Sequence, residues 1–250
     1  MKWGDEIEIT VENFASEGKS VARVDGLVVF VAGGVPGDRV RARGVKSKKK
    51  VVEAETVDIL SQSPLRVRPR CKYFGTCGGC KWQHVSYAAQ LDFKRQHVID
   101  ALQRIGGFNN VVVSPTLGSP DEYFYRNKME FSFGDKWVTK EELEARGKKQ
   151  EAGDRSPLFA LGLHIPQRFD KVLDIDECYL QSETSYKIVN AVRGFCLDHT
   201  LSMYSTFTHT GYLRNLVIRE SRRTNELMVN LVTSEDKTEV MQALSALLLA

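Results

Sequence analysis

The chain has 250 residues, 42% of them hydrophobic and 27% charged, with a formal net charge of +3. This is ordinary globular composition, long enough for one large or two medium domains, and no run of about 18 apolar residues is present to span a membrane as a helix. The opening Met1-Lys-Trp-Gly-Asp-Glu6 turns charged at once and offers no apolar signal core, so a cytoplasmic protein is expected.

Residues 5–60 read as an all-β unit. Glu6–Val11 alternates Glu6, Glu8 and Thr10 with Ile7, Ile9 and Val11. Val21–Val24 and Leu27–Val31 flank Asp25-Gly26, a two-residue hairpin signal. Gly33-Gly-Val-Pro-Gly-Asp38 is a turn cluster, Arg39–Arg43 alternates again, and Val51–Leu60 supplies a last strand. Five short strands with Gly-rich turns and no helix predict a small barrel of the oligonucleotide-binding type. The run Glu17–Val31, followed by Gly34-Val-Pro-Gly-Asp-Arg-Val40, resembles a TRAM domain, an RNA-binding barrel of RNA-modifying enzymes.

Charge is unevenly spread. Residues 1–38 carry net −4, residues 39–104 net +10 and residues 105–250 net −3. Focused basic charge suits a polyanion-binding surface, and a solvated basic face is the plain alternative. Arg39, Arg41, Arg43, Lys46, Lys48, Lys49 and Lys50 follow one another with no acid among them, and are the first candidates to track RNA phosphates.

Ser61–Arg70 is a linker with Pro64 and Pro69, and the cysteine loop follows. An amphipathic helix is predicted over 85–105, with Leu91, Val98, Leu102 and Ile105 as its stripe and Gly106-Gly107 as its stop. Tyr123–Phe133 reads as a strand whose polar face adds Arg126 and Lys128 as second RNA candidates, or as an ordinary solvent-facing strand. Residues 135–157 form a polar insertion. Phe159–His164 and Lys171–Ile175 are further strands, Ser182 caps a helix to about Leu197, Tyr212–Glu220 and Glu226–Thr233 make a hairpin, and Glu235–Ala250 is a final helix. No exposed aromatic for base stacking stands out.

Three of the five cysteines crowd into Cys71-x5-Cys77-x2-Cys80. The Cys-x2-Cys pair puts two thiols on one tight turn, and Gly75, Gly78 and Gly79 offer left-handed backbone angles and N–H groups for sulfur. A tetrathiolate site fits zinc or an iron–sulfur cluster. The fourth ligand is Cys178, on a loop after a strand, or Cys196, which sits on the helical stripe Ile188, Val189, Val192, Phe195 and otherwise reads as a buried thiol. Trp82, Tyr73 and Phe74 flank the loop as a cover, and His84 reads as structural.

Four ordered stretches carry a wider resemblance: Cys77-Gly-Gly-Cys-Lys-Trp-Gln-His84, Tyr123-x-Tyr-Arg-Asn-Lys-Met-Glu-Phe-Ser-Phe133, Phe169-Asp-Lys-Val-Leu-Asp-Ile-Asp-Glu-Cys178 and Leu213-Arg-Asn-Leu-Val-Ile-Arg219. They resemble the SAM-dependent RNA (uracil-5-)-methyltransferases, most of all the ribosomal 23S type with a TRAM domain. The resemblance implies a [4Fe–4S] cluster rather than zinc, with Cys178 as fourth ligand. It also implies methyl transfer to C5 of uridine by way of a thiolate adduct at C6, on a base exposed or flipped out.

The resulting expectation is an α+β chain: a TRAM-like barrel over 1–62, a mixed α/β cluster-binding central domain over 63–84 and 122–250, and a helical segment over 85–121 that in the family packs on the methyltransferase domain. No Gly-rich turn for SAM and no family-type catalytic cysteine are visible before Ala250. A Rossmann-like methyltransferase domain is therefore expected to be absent, the chain to be an N-terminal fragment inactive alone, SAM to belong only to the missing domain, and the apolar stripe of the 85–105 helix to be partly uncovered. A stand-alone RNA-binding protein with a structural zinc site, and a redox-active iron–sulfur protein, are the competing readings.

Overall fold

A computed structural model describes residues 4–15, 18–48, 50–138, 158–166 and 168–249, with nothing said of the side chain of residue 169. Contacts divide these into two units, one holding residues 1–75 and 80–120 and the other residues 76–79 and 121–250. No helix among the described residues is long and apolar enough to cross a membrane.

The first unit contains β1 (Glu6–Thr10), β2 (Asn13–Phe14), β3 (Ser20–Val24), β4 (Leu27–Ala32), β5 (Arg39–Lys48) and β6 (Val51–Ser61). They form one sheet in the order β1-β5-β6-β4-β3-β2, with β4 and β6 parallel and the other pairs antiparallel. Its inner residues are small or β-branched: Ile9, Ala22, Val29, Val31, Val40, Ala42, Val52 and Ala54 converge on one core. Short side chains let the strands curl over a narrow interior. Asp25 and Gly26 both adopt positive φ, 48° and 76°, the two-residue turn that matches the twist of a hairpin.

A buried ion pair ties the turn after β4 to the chain after β6. The Asp38 carboxylate, with no exposed side-chain surface, accepts hydrogen bonds from the Val35 amide at 2.7 Å, the Ser63 amide at 2.8 Å and the Arg66 guanidinium. Arg66 also donates to the Gly33 carbonyl at 2.8 Å. Burial pushes the Asp38 carboxyl up, but Arg66 and the two amides together outweigh it and hold it below its ordinary value.

Helix α1 (Tyr87–Asp100) continues into one π-helical turn, Ala101–Ile105. It buries a different face from the predicted stripe. Val85 and Ala89 are buried against Phe14 and Val35, with Trp82 and Phe93 packed on the same cluster. Phe14 meets Phe93 edge-on at 4.5 Å. Of the predicted stripe, Val98 is 48% and Ile105 88% exposed. The partners for burial lie before the helix and across it at Phe14, which periodicity within the helix does not reveal. Thr116 and Arg95 bond the helix to the segment beyond it, through Leu91 O at 2.9 Å and Val113 O at 2.8 Å.

The second unit is an antiparallel sheet in the order β11-β10-β7-β8-β9. Its strands are β7 (Lys128–Asp135), β8 (Phe159–Ile165), β9 (Arg168–Asp174), β10 (Leu213–Ser221) and β11 (Glu226–Thr233). β7 starts at Lys128, later than predicted, because the Phe124 and Arg126 amides bond to the Tyr179 and Leu180 carbonyls instead. Met129, Phe131 and Phe133 alternate into the core beside Leu216 and Ile218. Helix α2 (Glu183–Asp198) buries Val189, Val192, Phe195 and Cys196, and Ser182 caps it by accepting from the Ser185 amide at 3.3 Å. Helix α3 (Thr238–Leu249) closes the described residues. The 135–157 insertion lies mostly outside them.

Removing the Asp38 carboxylate leaves Arg66 with its charge and a largely covered guanidinium. Asp38→Ala is expected to destabilise the first unit by about 3–5 kcal/mol, seen as a lower urea midpoint; a change below about 1 kcal/mol would show the pair to be incidental.

Candidate functional site

The basic run on β5 is placed between two acid-bearing strands. Register sets Arg43 opposite Glu6 and Arg41 opposite Glu8 on β1, and Arg41 opposite Asp58 and Arg43 opposite Glu55 on β6. Arg41 pairs in register with Asp58 at 2.8 Å and Arg43 with Glu6 at 2.7 Å, while Arg39 reaches diagonally to Glu8 at 2.6 Å. The Glu6 carboxylate holds the Arg43 guanidinium above its ordinary value. Three of the seven predicted phosphate contacts are therefore neutralised by acids that the run itself does not contain. Such exposed pairs stabilise little, about 0–1 kcal/mol each, but they cancel charge.

Lys46, Lys48 and Lys50 lie beyond this ladder, exposed where β5 turns into β6. Among the described residues no carboxylate is within ion-pair distance of them; Glu53 is occupied by Lys19 at 2.8 Å. Lys19 holds Glu53 below its ordinary value, with Lys46 and Lys48 adding to the effect. Lys49 lies outside the described residues. In the second unit Lys128 is exposed and pairs with Glu130 at 3.2 Å, while Arg126 is exposed with its guanidinium 3.6 Å from the Met129 sulfur.

The cysteine loop is divided between the units: Cys71 and Cys80 group with the first, Cys77 and Cys178 with the second. Cys71, Cys77 and Cys80 are half-buried, and Cys178 and Cys196 are buried. The Gly79 amide donates to the Cys77 sulfur at 3.4 Å. Of the three glycines only Gly75 has a positive φ, 92°. Gly78 and Gly79 are required for close approach instead: a Cβ at Gly78 would lie 2.8 Å from the His164 carbonyl, and one at Gly79 would lie 3.0 Å from Leu163. On the Cys178 side, Arg193 bonds the Asp174 carboxylate at 2.9 Å and the Leu161 carbonyl at 2.8 Å, and Asn190 reaches the Asp176 carbonyl at 2.8 Å, so α2 fixes the loop. Burial pushes the Cys196 thiol up to about 12, so it is a packing group rather than a thiolate. Among the described residues no group of three or more His, Cys, Asp or Glu side chains is placed to hold a metal ion.

The sequence reading missed a cleft in the second unit. It has a volume of about 870 Å³, with Phe133, Phe159, Val172 and Met203 among its apolar walls and Arg214 and Asn215 among its polar ones. Nothing in local sequence marks it, because its walls come from four strands, the end of α2 and the segment after it.

Residues 2–57 match the TRAM domain family. The chain is 44% identical over 244 residues to an uncharacterized RNA methyltransferase of Chlorobaculum tepidum, a match that covers 96% of this chain and 50% of that protein. It is 43% identical over 235 residues to one of Bacteroides thetaiotaomicron, covering 94% of this chain and 50% of the relative. A solved structure, the Pyrococcus abyssi tRNA (uracil-54, C5)-methyltransferase in complex with S-adenosyl-L-homocysteine, superposes with a TM-score of 0.60 at 27% identity, covering 94% of this chain and 48% of that one. The chain thus carries an N-terminal TRAM domain in a stretch similar to RNA methyltransferases along nearly all of its length. It spans about half the length of the curated relatives it matches.

These matches correct several expectations. The Rossmann-like methyltransferase domain was expected to be absent, the chain to be a fragment inactive alone, and SAM to be confined to a missing domain. Those absences rested on finding no Gly-rich turn and no catalytic cysteine of the family type before Ala250. They are overturned by similarity over 94% of the chain to a methyltransferase holding S-adenosyl-L-homocysteine, and over 96% to a curated RNA methyltransferase. The cofactor expectation, a [4Fe–4S] cluster or zinc with SAM only in a missing domain, is corrected in its exclusion of SAM: the ligand of the solved neighbour is S-adenosyl-L-homocysteine.

His84 is structural. It is buried, 5.0 Å from the Phe74 ring. Burial, helped by the nearby Arg66 charge, lowers its pKa from 6.5 to about 4. In the unfolded chain it takes up a proton near its ordinary value, so stability is full above about 6.5 and declines as pH falls toward about 4. Urea denaturation across that window is expected to show a loss on the order of 3 kcal/mol, flattened in His84→Leu; an equal pH dependence in the variant would show that other groups cause it.

Proposed function

We propose that the protein methylates C5 of a uridine in RNA with S-adenosylmethionine as methyl donor, and that ribosomal RNA is the substrate. The observation that carries this reading is the 44% identity, over 96% of the chain, to an RNA methyltransferase. The TRAM match over residues 2–57 and the exposed lysines at the β5–β6 turn support RNA as the partner. The ribosomal choice rests on the sequence motifs. Transfer RNA is the second reading, favoured by the solved neighbour, which acts on tRNA.

The test is nucleoside analysis after incubating the protein with methyl-labelled S-adenosylmethionine and unmodified ribosomal or transfer RNA. Label in 5-methyluridine from ribosomal RNA is expected. Label only from transfer RNA would favour the second reading, and label in neither would overturn methylation by this chain.

Cys71, Cys77, Cys80 and Cys178 are proposed as one set of thiolate ligands for a soft metal centre. Their spacing, the glycines between them and the amide aimed at the Cys77 sulfur support this. Elemental analysis of protein purified without oxygen is expected to find bound metal that Cys178→Ser loses and Cys196→Ser keeps. Metal-free wild-type protein, or loss through Cys196 instead, would remove the assignment.

A further inference from the structure

The two edges of the second unit's sheet are finished differently. β9 is blunted by charge: Arg168, Asp170, Lys171 and Asp174 lie along it, and the Trp137 amide donates to its Val172 carbonyl at 2.7 Å. β11 has no such guard. Its stretch Leu227-Met-Val-Asn-Leu-Val-Thr233 holds no charged residue and no proline. The strand pairs with β10 on one side, and among the described residues no element pairs with it on the other. Glu226, the acid at its start, is drawn into the hairpin, where the Thr224 hydroxyl donates to its carboxylate at 2.6 Å.

An open edge presents backbone N–H and C=O groups to any further strand. The side chains of β11 are also incompletely covered on both faces. Register sets Val229 and Leu231 beside the buried Ile218 and Leu216, so odd-numbered residues face the core. Leu227 on that face is nevertheless 36% exposed, and Met228 on the other face is 50% exposed. Charge decides which way a partner strand runs. Arg222 and Arg223 precede β11, and Glu235 and Asp236 follow it. Asp121 takes up Arg222 at 2.9 Å and Lys237 takes up Glu235 at 3.0 Å, which leaves Arg223 and Asp236, both exposed, without an ion pair among the described residues. A second copy laid antiparallel brings the basic end of each strand beside the acidic end of the other, whereas a parallel one opposes like charges.

We propose that β11 is a dimerisation edge, through which two copies of this chain pair antiparallel and join their five-stranded sheets side by side. Side-chain matching fixes the register. Directly opposed residues lie on the same face of a sheet, so the two-fold axis passes through a residue rather than between two. Centred on Asn230, it sets Asn230 against its own copy, Val229 against Leu231 and Met228 against Val232. One amide then donates to the other, and each flanking apolar side chain meets another. A centre one residue to either side would set the Asn230 amide against Met228 or Val232 and leave it without a polar partner. The inference is independent of the RNA reading and adds a partner to it, a second copy of the chain.

Sedimentation velocity of the full chain over a concentration series is expected to show a monomer–dimer equilibrium for the wild type. Asn230→Lys and Asn230→Glu each oppose like charges at the axis, and each should raise the dimer dissociation constant about tenfold or more. An equimolar mixture of the two should associate as the wild type does, because a lysine then meets a glutamate across the axis. Asn230 is exposed, so both variants keep the fold, which thermal melting checks. Met228→Lys, beside the axis on the same face, is a second probe and should weaken the dimer in the same sense. A wild-type chain that stays monomeric up to about 0.1 mM would overturn the proposal. So would a dimer that the three variants leave unchanged, or one that the mixture of opposite charges fails to restore.

Discussion

The bond between Asp38 and Arg66 organises the first unit. A carboxylate without water must be paired and fully hydrogen-bonded, and here the turn after β4, the end of β6 and the linker each supply a partner. Because Arg66 belongs to the linker, the pair also fixes the direction in which the chain leaves the sheet. Val67 then bonds the His84 carbonyl, and Val85 enters the cluster of Phe14 and Val35. The start of α1 is thereby joined to the barrel, and the chain on either side of the cysteine loop is anchored before the loop begins.

Much of this was legible in the sequence where local chemistry decides it. The Asp25-Gly26 turn, the alternation Met129, Phe131, Phe133, the Ser182 cap and the buried Cys196 all follow from properties of a few adjacent residues. Features set by distant partners were misread. The buried side of α1 depends on Phe14, more than 70 residues earlier. Gly78 and Gly79 of the cysteine loop are needed because β8 passes close to them, and only Gly75 for its backbone angle. The cleft was invisible because Arg214 and Tyr204 are ordinary residues until a turn stacks them.

The basic run on β5 is the sharpest case. Read along the chain, seven cations without an acid promise a strong field. Read across the sheet, β1 and β6 bring a carboxylate to each arginine, and what survives is a cluster of lysines at one end. The first unit thus presents exposed lysines where β5 turns into β6, and the second a cleft with the Arg214 guanidinium over the Tyr204 ring at its wall.

That ladder of acid and arginine also sets how the surface behaves toward ions in solution. A polyanion that displaced counterions from all seven cations would lose affinity steeply as salt rises, by about 0.7 in log K per phosphate for each tenfold change. With the three arginines already matched from within the sheet, four of the seven cations remain and the slope should fall to roughly four-sevenths of that. Glu6, Glu8 and Asp58 thus act as a mask over the barrel's charge. They quiet its attraction to polyanions in general, and the attraction that remains lies with the lysines at the β5–β6 turn.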